Sequence, residues 1–324
     1  MTTNTQEYFG YNTIFWMGVV ENVDDPVKMG RVQARIFGWH DLDKNAIPTE
    51  SLPWAQVTMS SDSASVSGIG RSPTGLKPGS WVVGLFMDGE TARQPLVLGS
   101  IPGIPTATPD TTQGFNDPEG NYPEDSERHS INEPDTNRLA RNDPEHEHPN
   151  YLDKSFNATT LLKTSRGYDW QEPFINEWSE FKAQYPHNKV METESGHIFE
   201  IDDTPGEERI HIYHKSGTYQ EINKDGRKVN KVIDDNLTVV EGSDNRYVKE
   251  DVNTNARDIN TKARVVHVDS SGGVIIRAQG AGVVIDGPMY VNGSLGASVG
   301  VSGSFADITG RTITVVDGIV VSIG

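Results

Sequence analysis

Glu145-His146-Glu147-His148 places two imidazoles and two carboxylates within four residues, the donor types that hold zinc and similar divalent ions. Pro144 and Pro149 bracket the tetrad inside a polar stretch, and exposed, solvated side chains account for it better than a metal site. Glu124, Asp125 and Glu127 could supply a general acid and base by count. Such a pair needs a packed core to raise one carboxyl pKa and to hold the second at a fixed separation, and no apolar periodicity surrounds these three. They are assigned to solvated charge. Gly68-Ile69-Gly70-Arg71 has the look of a phosphate cradle, but no helix start follows and Pro73 intervenes, so a loop is the better reading. His197, His211, His214 and His267 fall in strand-like sequence and are expected to alternate outward on polar faces. Trp39, Trp54 and Trp81 fit barrel core or interface anchors better than a carbohydrate platform. No catalytic, cofactor-binding or metal-binding residue is assigned, and the expectation is a protein that is not an enzyme.

Composition narrows the function classes further. Forty-six acidic against 28 basic residues give a formal charge of −18, which repels phosphate backbones and argues against nucleic-acid partners. Cysteine is absent, so disulfides, thiolate metal sites and thiol nucleophiles are excluded. The 324 residues include 32 Gly and 18 Pro with only 8% aromatics, a balance that suits many short strands and turns rather than a helical bundle. No apolar run reaches the length of a membrane span, and residues 1–10 lack a basic segment followed by an apolar core, so a soluble chain without an export signal is expected.

The elements follow from periodicity. Residues 14–20, 31–37, 54–59, 81–87 and 95–99 alternate as half-buried strands, with a turn at Asp24-Asp25-Pro26. Five short strands in about 90 residues predict an OB-like barrel within a domain spanning 1–105. Residues 106–190 turn to Pro, Asp, Glu, Asn and His and read as an extended linker, with Trp170, Phe174, Trp178 and Phe181 spaced for one short amphipathic helix. From Met191 strands return, with hairpin turns expected at Lys215–Thr218 and Asn223–Arg227. After Val265 an apolar residue, any residue, then Gly recurs, as in Ile285-Asp286-Gly287, Val291-Asn292-Gly293, Val301-Ser302-Gly303, Ile308-Thr309-Gly310 and Val316-Asp317-Gly318. Units this small cannot bury an apolar face alone, and three chains wound together would close such a sheet without edges. The fold class expected is therefore all-β: an N-terminal OB-fold barrel and a C-terminal intertwined trimeric β-helix, a triangular prism over 191–324, joined by a long irregular linker.

Two sets of motifs resemble a known family. Met191-Glu192-Thr193-Glu194-Ser195-Gly196-His197, then Ile201-Asp202-Asp203-Thr204-Pro205-Gly206-Glu207-Glu208-Arg209 and Gly217-Thr218-Tyr219, look like the start of the β-prism in central-spike proteins of contractile-tailed phages and in the related VgrG spikes of type VI secretion. Gly18-Val19-Val20-Glu21, Asp25-Pro26, Gly30-Arg31-Val32, Gly38-Trp39-His40, Leu52-Pro53-Trp54-Ala55 and Val97-Leu98-Gly99 look like that family's OB domain, and Gly114-Phe115, Asp117-Pro118 and Gly120-Asn121-Tyr122-Pro123 like the segment after it. The match covers both ends of the chain in the right order. It implies a homotrimeric baseplate spike that meets a ring-shaped hub protein through its OB domain and is driven through the host envelope when the tail contracts. A location in the virion tail, after assembly in the host cytoplasm, follows from the same likeness. The best-known members carry a lysozyme domain between barrel and prism, and the stretch here is too short and too poor in apolar periodicity for one. The strand-like residues at the end of the sequence lead to a further expectation, a small PAAR-like cap protein at the tip. A VgrG-like secretion spike is the alternative, and the segment from Gly114 to Pro123 favours the phage.

Overall fold

A computed structural model describes residues 13–108, 110–114, 131–141, 162–163, 169–170, 183–252, 254, 256–278, 283–288, 303–306, 309–316 and 319–323. The chain divides into two compact units, 1–255 and 256–324. Among the described residues no helix is long and apolar enough to cross a membrane.

The first unit opens with five strands: β1 (Ile14–Asn22), β2 (Val32–Ile36), β3 (Trp54–Val57), β4 (Trp81–Phe86) and β5 (Pro95–Ser100). They close into a barrel of order β1-β2-β3-β5-β4. Closure depends on two pairings between strands far apart in sequence: β1 runs antiparallel to β4, and β3 runs parallel to β5 through Gln56 opposite Leu96. Alternation sends Trp16, Val20, Val32, Ile36, Val82, Phe86 and Val97 into the core. Removing a full complement of water from each such side chain stabilises by roughly 1.5–3 kcal/mol. Trp16 crosses the barrel over Gly84, where a Cβ would lie 2.3 Å from the indole and 2.2 Å from the Leu96 carbonyl oxygen, so only glycine allows this approach.

Trp16 lies in the barrel core, whereas Trp39, Trp54 and Trp81 are exposed or half-buried. Trp39 is exposed and packs edge-on against Phe86 at 5.1 Å, Trp81 lies against Phe37 at 5.3 Å, and the Arg31 guanidinium stands over Trp54 at 5.5 Å. The Gly68–Arg71 stretch is a loop between β3 and β4, closed by a bridge from Val66 to Ile69 and by an exposed Arg71–Asp62 ion pair.

Beyond the barrel come a short helix, α1 (Arg138–Arg141), and a two-residue pair, β6 (Leu162–Lys163) with β7 (Asp169–Trp170). Trp170 therefore stands in a strand rather than at the head of the expected helix. Phe174, Trp178 and Phe181 lie outside the described residues, as do Glu124, Asp125, Glu127 and the Glu145–His148 tetrad.

A five-stranded antiparallel meander follows: β8 (Asn188–Glu192), β9 (Ile198–Asp202), β10 (Arg209–Tyr213), β11 (Tyr219–Ile222) and β12 (Lys228–Lys231). Its turns fall at the two expected hairpin positions, between Tyr213 and Tyr219 and between Ile222 and Lys228. From Val232 to Val252 the chain has no strand.

In the second unit the described residues of 256–288 carry no strand and are exposed, and an antiparallel sheet of β13 (Gly303–Ala306), β14 (Thr312–Val316) and β15 (Ile319–Ile323) follows. Gly310 lies between β13 and β14, and Ile285-Asp286-Gly287 lies in exposed chain without a strand, whereas Val291-Asn292-Gly293, Val301, Ser302, Ile308, Asp317 and Gly318 lie outside the described residues. A single chain thus displays a meander and a small antiparallel sheet, with no β-helix among its described residues.

Candidate functional site

The described residues offer a buried polar frame and one exposed apolar face. Among the described residues no group of three His, Asp or Glu side chains could hold a metal ion.

The frame begins in the barrel wall. Arg35 on β2 is fully buried and donates through Nε to Glu21 Oε1 at 2.6 Å and through Nη2 to Glu21 Oε2 at 3.0 Å. Its remaining N–H groups reach the carbonyls of Asp41, at 2.5 Å, and Ile47, at 2.7 Å, and the Thr49 hydroxyl donates to Glu21 at 2.7 Å. A buried pair is tolerable only when its spare donors and acceptors are met in this way. The consequence is a fixed loop between β2 and β3. Gly114 lies directly against the pair, and its backbone N–H donates to the Leu42 carbonyl at 2.9 Å. Beside the pair, burial and then the charge of Arg35 push the His40 pKa below its ordinary value, and His40 Nδ1 accepts the Ile36 N–H at 2.9 Å.

Asp25 organises the turn between β1 and β2. Its carboxylate accepts the backbone N–H groups of Val27, Met29 and Arg31 and pairs with the Arg31 guanidinium at 2.7 Å. Arg31, aided by those backbone donors, holds the Asp25 pKa well below the usual carboxylate range, although burial opposes it.

Residues 131–141 join barrel to meander. On one side Asp135 N–H donates to the Gly103 carbonyl at 2.9 Å, and Asp135 Oδ2 accepts the Gly103 N–H at 2.8 Å. On the other, Asn137 Nδ2 donates to Glu192 at 2.6 Å, Asn188 Nδ2 donates to the Leu139 carbonyl at 3.2 Å, and Leu139 packs with Ile198, Tyr213 and Tyr219. Buried Glu133, paired with Arg138 and Arg141 at 2.5 Å each, pins the segment from within. Lys77 and Glu194 add an exposed contact between barrel and meander at 2.6 Å. By sequence this joint falls within the expected linker, 106–190. The one available signal was the acid at 133 with two arginines one and two turns further on.

The meander's two faces reverse the usual arrangement. Glu200, His211 and Glu221 stand in one cross-strand row on the buried face, with Arg209 beside them. His211 Nδ1 lies 2.7 Å from Glu221, Arg209 donates to Glu200 at 3.1 Å, and Asn188 Nδ2 donates to Glu200 at 2.9 Å. His211 therefore points inward, against expectation, stacked between Tyr213 and Tyr219. On the opposite face Ile201, Ile210 and Ile222 form one cross-strand row, and Met191, Phe199 and Ile212 form the next. Met191 is 64% exposed, Ile212 46% and Ile210 44%. His197 is half-buried, His214 and His267 are exposed, and the rings of His197 and His214 lie 4.4 Å apart.

A closed five-stranded barrel of this order defines a β protein of the OB class. Comparison with known proteins agrees. Residues 40–172 match the family described as the Gp5 N-terminal OB domain, a span that starts after β2 and runs beyond β5. The chain is 39% identical over 268 residues to protein Gp5 of Vibrio phage KVP40, covering 74% of this chain and 62% of that one. It is 42% identical over 122 residues to the pre-baseplate central spike protein Gp5 of Enterobacteria phage T4, covering 36% of this chain and 21% of that one. The chain is thus similar to these phage Gp5 proteins, in line with the likeness of its motifs, and it spans less than two thirds of the length of either relative.

Proposed function

We propose that this chain is a structural component of a phage tail baseplate, a homotrimeric central spike that pierces the host envelope when the tail contracts. The observation that carries the reading is exposed apolar surface on the meander and on the chain beyond it. The isoleucine face of the meander is half-exposed in a single chain, and Val265, Val266, Val268, Val274, Ile275, Ile276 and Val283–Ile285 are each at least 58% exposed. Apolar surface on this scale marks an interface. Strand-forming residues without strand partners need backbone partners from other copies, and three chains wound as a prism supply both at once. The similarity to the pre-baseplate central spike protein of phage T4 supports the same reading.

Function on this account is mechanical. The barrel would seat on a ring-shaped hub protein, the 131–141 joint would transmit force, and the prism would lead, its tip covered by a small cap protein; both partners rest on the family resemblance. The chain would carry no catalytic activity of its own. Sedimentation of the purified protein together with electron microscopy tests the proposal: a trimer with a thin threefold needle is expected, and a stable monomer at micromolar concentration overturns it. Incubation with purified cell wall should release no reducing ends above background.

A further inference from the structure

We propose that the buried face of the meander holds internal water, which donates hydrogen bonds to Glu200, Glu221 and Asn188 and completes a polar chain from the 131–141 joint to β11. The site is on the face turned away from Met191, Ile210 and Ile212, and it does not depend on association between copies.

Donors run short at three buried oxygens. Glu200 Oε1 accepts from Asn188 Nδ2 at 2.9 Å and from Arg209 Nη2 at 3.1 Å, while no donor among the described residues reaches Oε2. Glu221 Oε2 lies 2.7 Å from His211 Nδ1 and 3.7 Å from Arg209 Nη1, and its Oε1 is likewise without a donor. Asn188 spends its amide protons on the Leu139 carbonyl, at 3.2 Å, and on Glu200, and its Oδ1 receives none. Exchanging the oxygen and nitrogen of that amide does not help, because both of its present neighbours are acceptors.

Elsewhere the fold meets its buried acids with protein groups. Both oxygens of Glu21 accept from Arg35 or Thr49, and both oxygens of Glu133 accept from Arg138. On β9 itself, Asp202 Oδ1 accepts the Thr204 N–H at 3.0 Å and the Thr204 hydroxyl at 2.6 Å. Among the described residues, the buried side-chain oxygens left without a partner are those of Glu200, Glu221 and Asn188. Register gathers them: Glu200 and Glu221 flank His211 in one row, and Asn188 reaches Glu200 from β8.

Three oxygens that all lack donors call for a small ligand that donates. A metal ion does not fit, since among the described residues no three His, Asp or Glu side chains could hold one. Leu139, Ile198, Tyr213 and Tyr219 are all buried and pack together against this face, which leaves a bulky ligand no way in. Water has the chemistry: it donates two hydrogen bonds, and in protein interiors it settles where buried polar groups lack partners. It also eases the burial of two carboxylates that stand around one guanidinium. The completed chain runs from the Leu139 carbonyl through Asn188, Glu200 and Arg209 to Glu221 and His211, crossing four strands.

A crystal structure of the full-length protein, at a resolution that shows ordered solvent, should place water within about 3 Å of Glu200 Oε2, Glu221 Oε1 and Asn188 Oδ1. A protein donor at those oxygens, or a dry site, overturns the proposal. In solution, magnetic relaxation dispersion of the water oxygen counts long-lived internal water. Glu200→Leu with Arg209→Met should hold at least one such molecule per chain fewer than the parent, and an equal count overturns the proposal. Should that variant not fold, Asn188→Leu is read for the same loss, and the crystal structure decides without any variant.

Discussion

The Arg35 guanidinium meets both carboxylate oxygens of Glu21, at 2.6 and 3.0 Å, with the two side chains wholly removed from solvent. The pair works as a bracket, because the same guanidinium ties the β2–β3 loop at Asp41 and Ile47. Removing one partner strands the other charge in the barrel wall. Arg35→Met should therefore lower stability by about 3–5 kcal/mol, and Arg35→Met with Glu21→Leu should recover a large part of it. Chemical denaturation of the two variants and the parent checks the sign and the rescue.

Gly114 extends the bracket. A Cβ at this position would lie 2.1 Å from Arg35 Cδ and 2.6 Å from Glu21 Oε1, atoms fixed by several hydrogen bonds. Gly114→Ala should cost about 1–3 kcal/mol by overpacking. Faster amide hydrogen exchange should appear at Gly114 and along the 41–49 loop, and unchanged exchange there would contradict the account.

Asp25 should govern part of the acid limb of stability. Its folded pKa is depressed, chiefly by Arg31, so its contribution is present above the unfolded carboxylate's pKa of about 3.9 and is lost as pH falls through that value toward the folded one. Melting temperature should drop below about pH 4 in the parent and fall less steeply there in Asp25→Asn, which should already be weaker at neutral pH.

Arg209 stands between two buried acids, 3.1 Å from Glu200 and 3.7 Å from Glu221. Arg209→Met leaves both carboxylates without that cation and should destabilise the meander by about 3–5 kcal/mol. Limited proteolysis should then cut within 188–231 before it cuts the barrel.

The outward isoleucines should matter to assembly more than to the fold of one chain. Ile210→Asp with Ile212→Asp changes two half-exposed side chains and should shift the protein toward monomer in sedimentation. Far-ultraviolet circular dichroism of the barrel strands should persist.

Much of the barrel was legible locally. Alternation marked all five of its strands to within two or three residues, and Asp24-Asp25-Pro26 marked the first turn. The hairpins at Lys215–Thr218 and Asn223–Arg227 were equally plain, because turn residues act over four or five positions. The 131–141 joint was hidden, since its partners Gly103, Glu192 and Asn188 lie about 30–55 residues away and no periodicity reports such contacts.

The amino-acid sequence alone determined an acidic, cysteine-free, strand-rich chain, its turns, and its resemblance to phage spikes, because composition and short motifs are local quantities. Tertiary structure decided which face each strand presents. Period-two alternation says that Glu200 and Phe199 point opposite ways but not which of them meets the interior. Only the packing of Leu139, Tyr213 and Tyr219 against one side of the sheet turned Glu200, Arg209 and His211 inward and left Met191, Ile210 and Ile212 facing out. That choice leaves the chain an exposed apolar face, the one on which the proposed self-association relies.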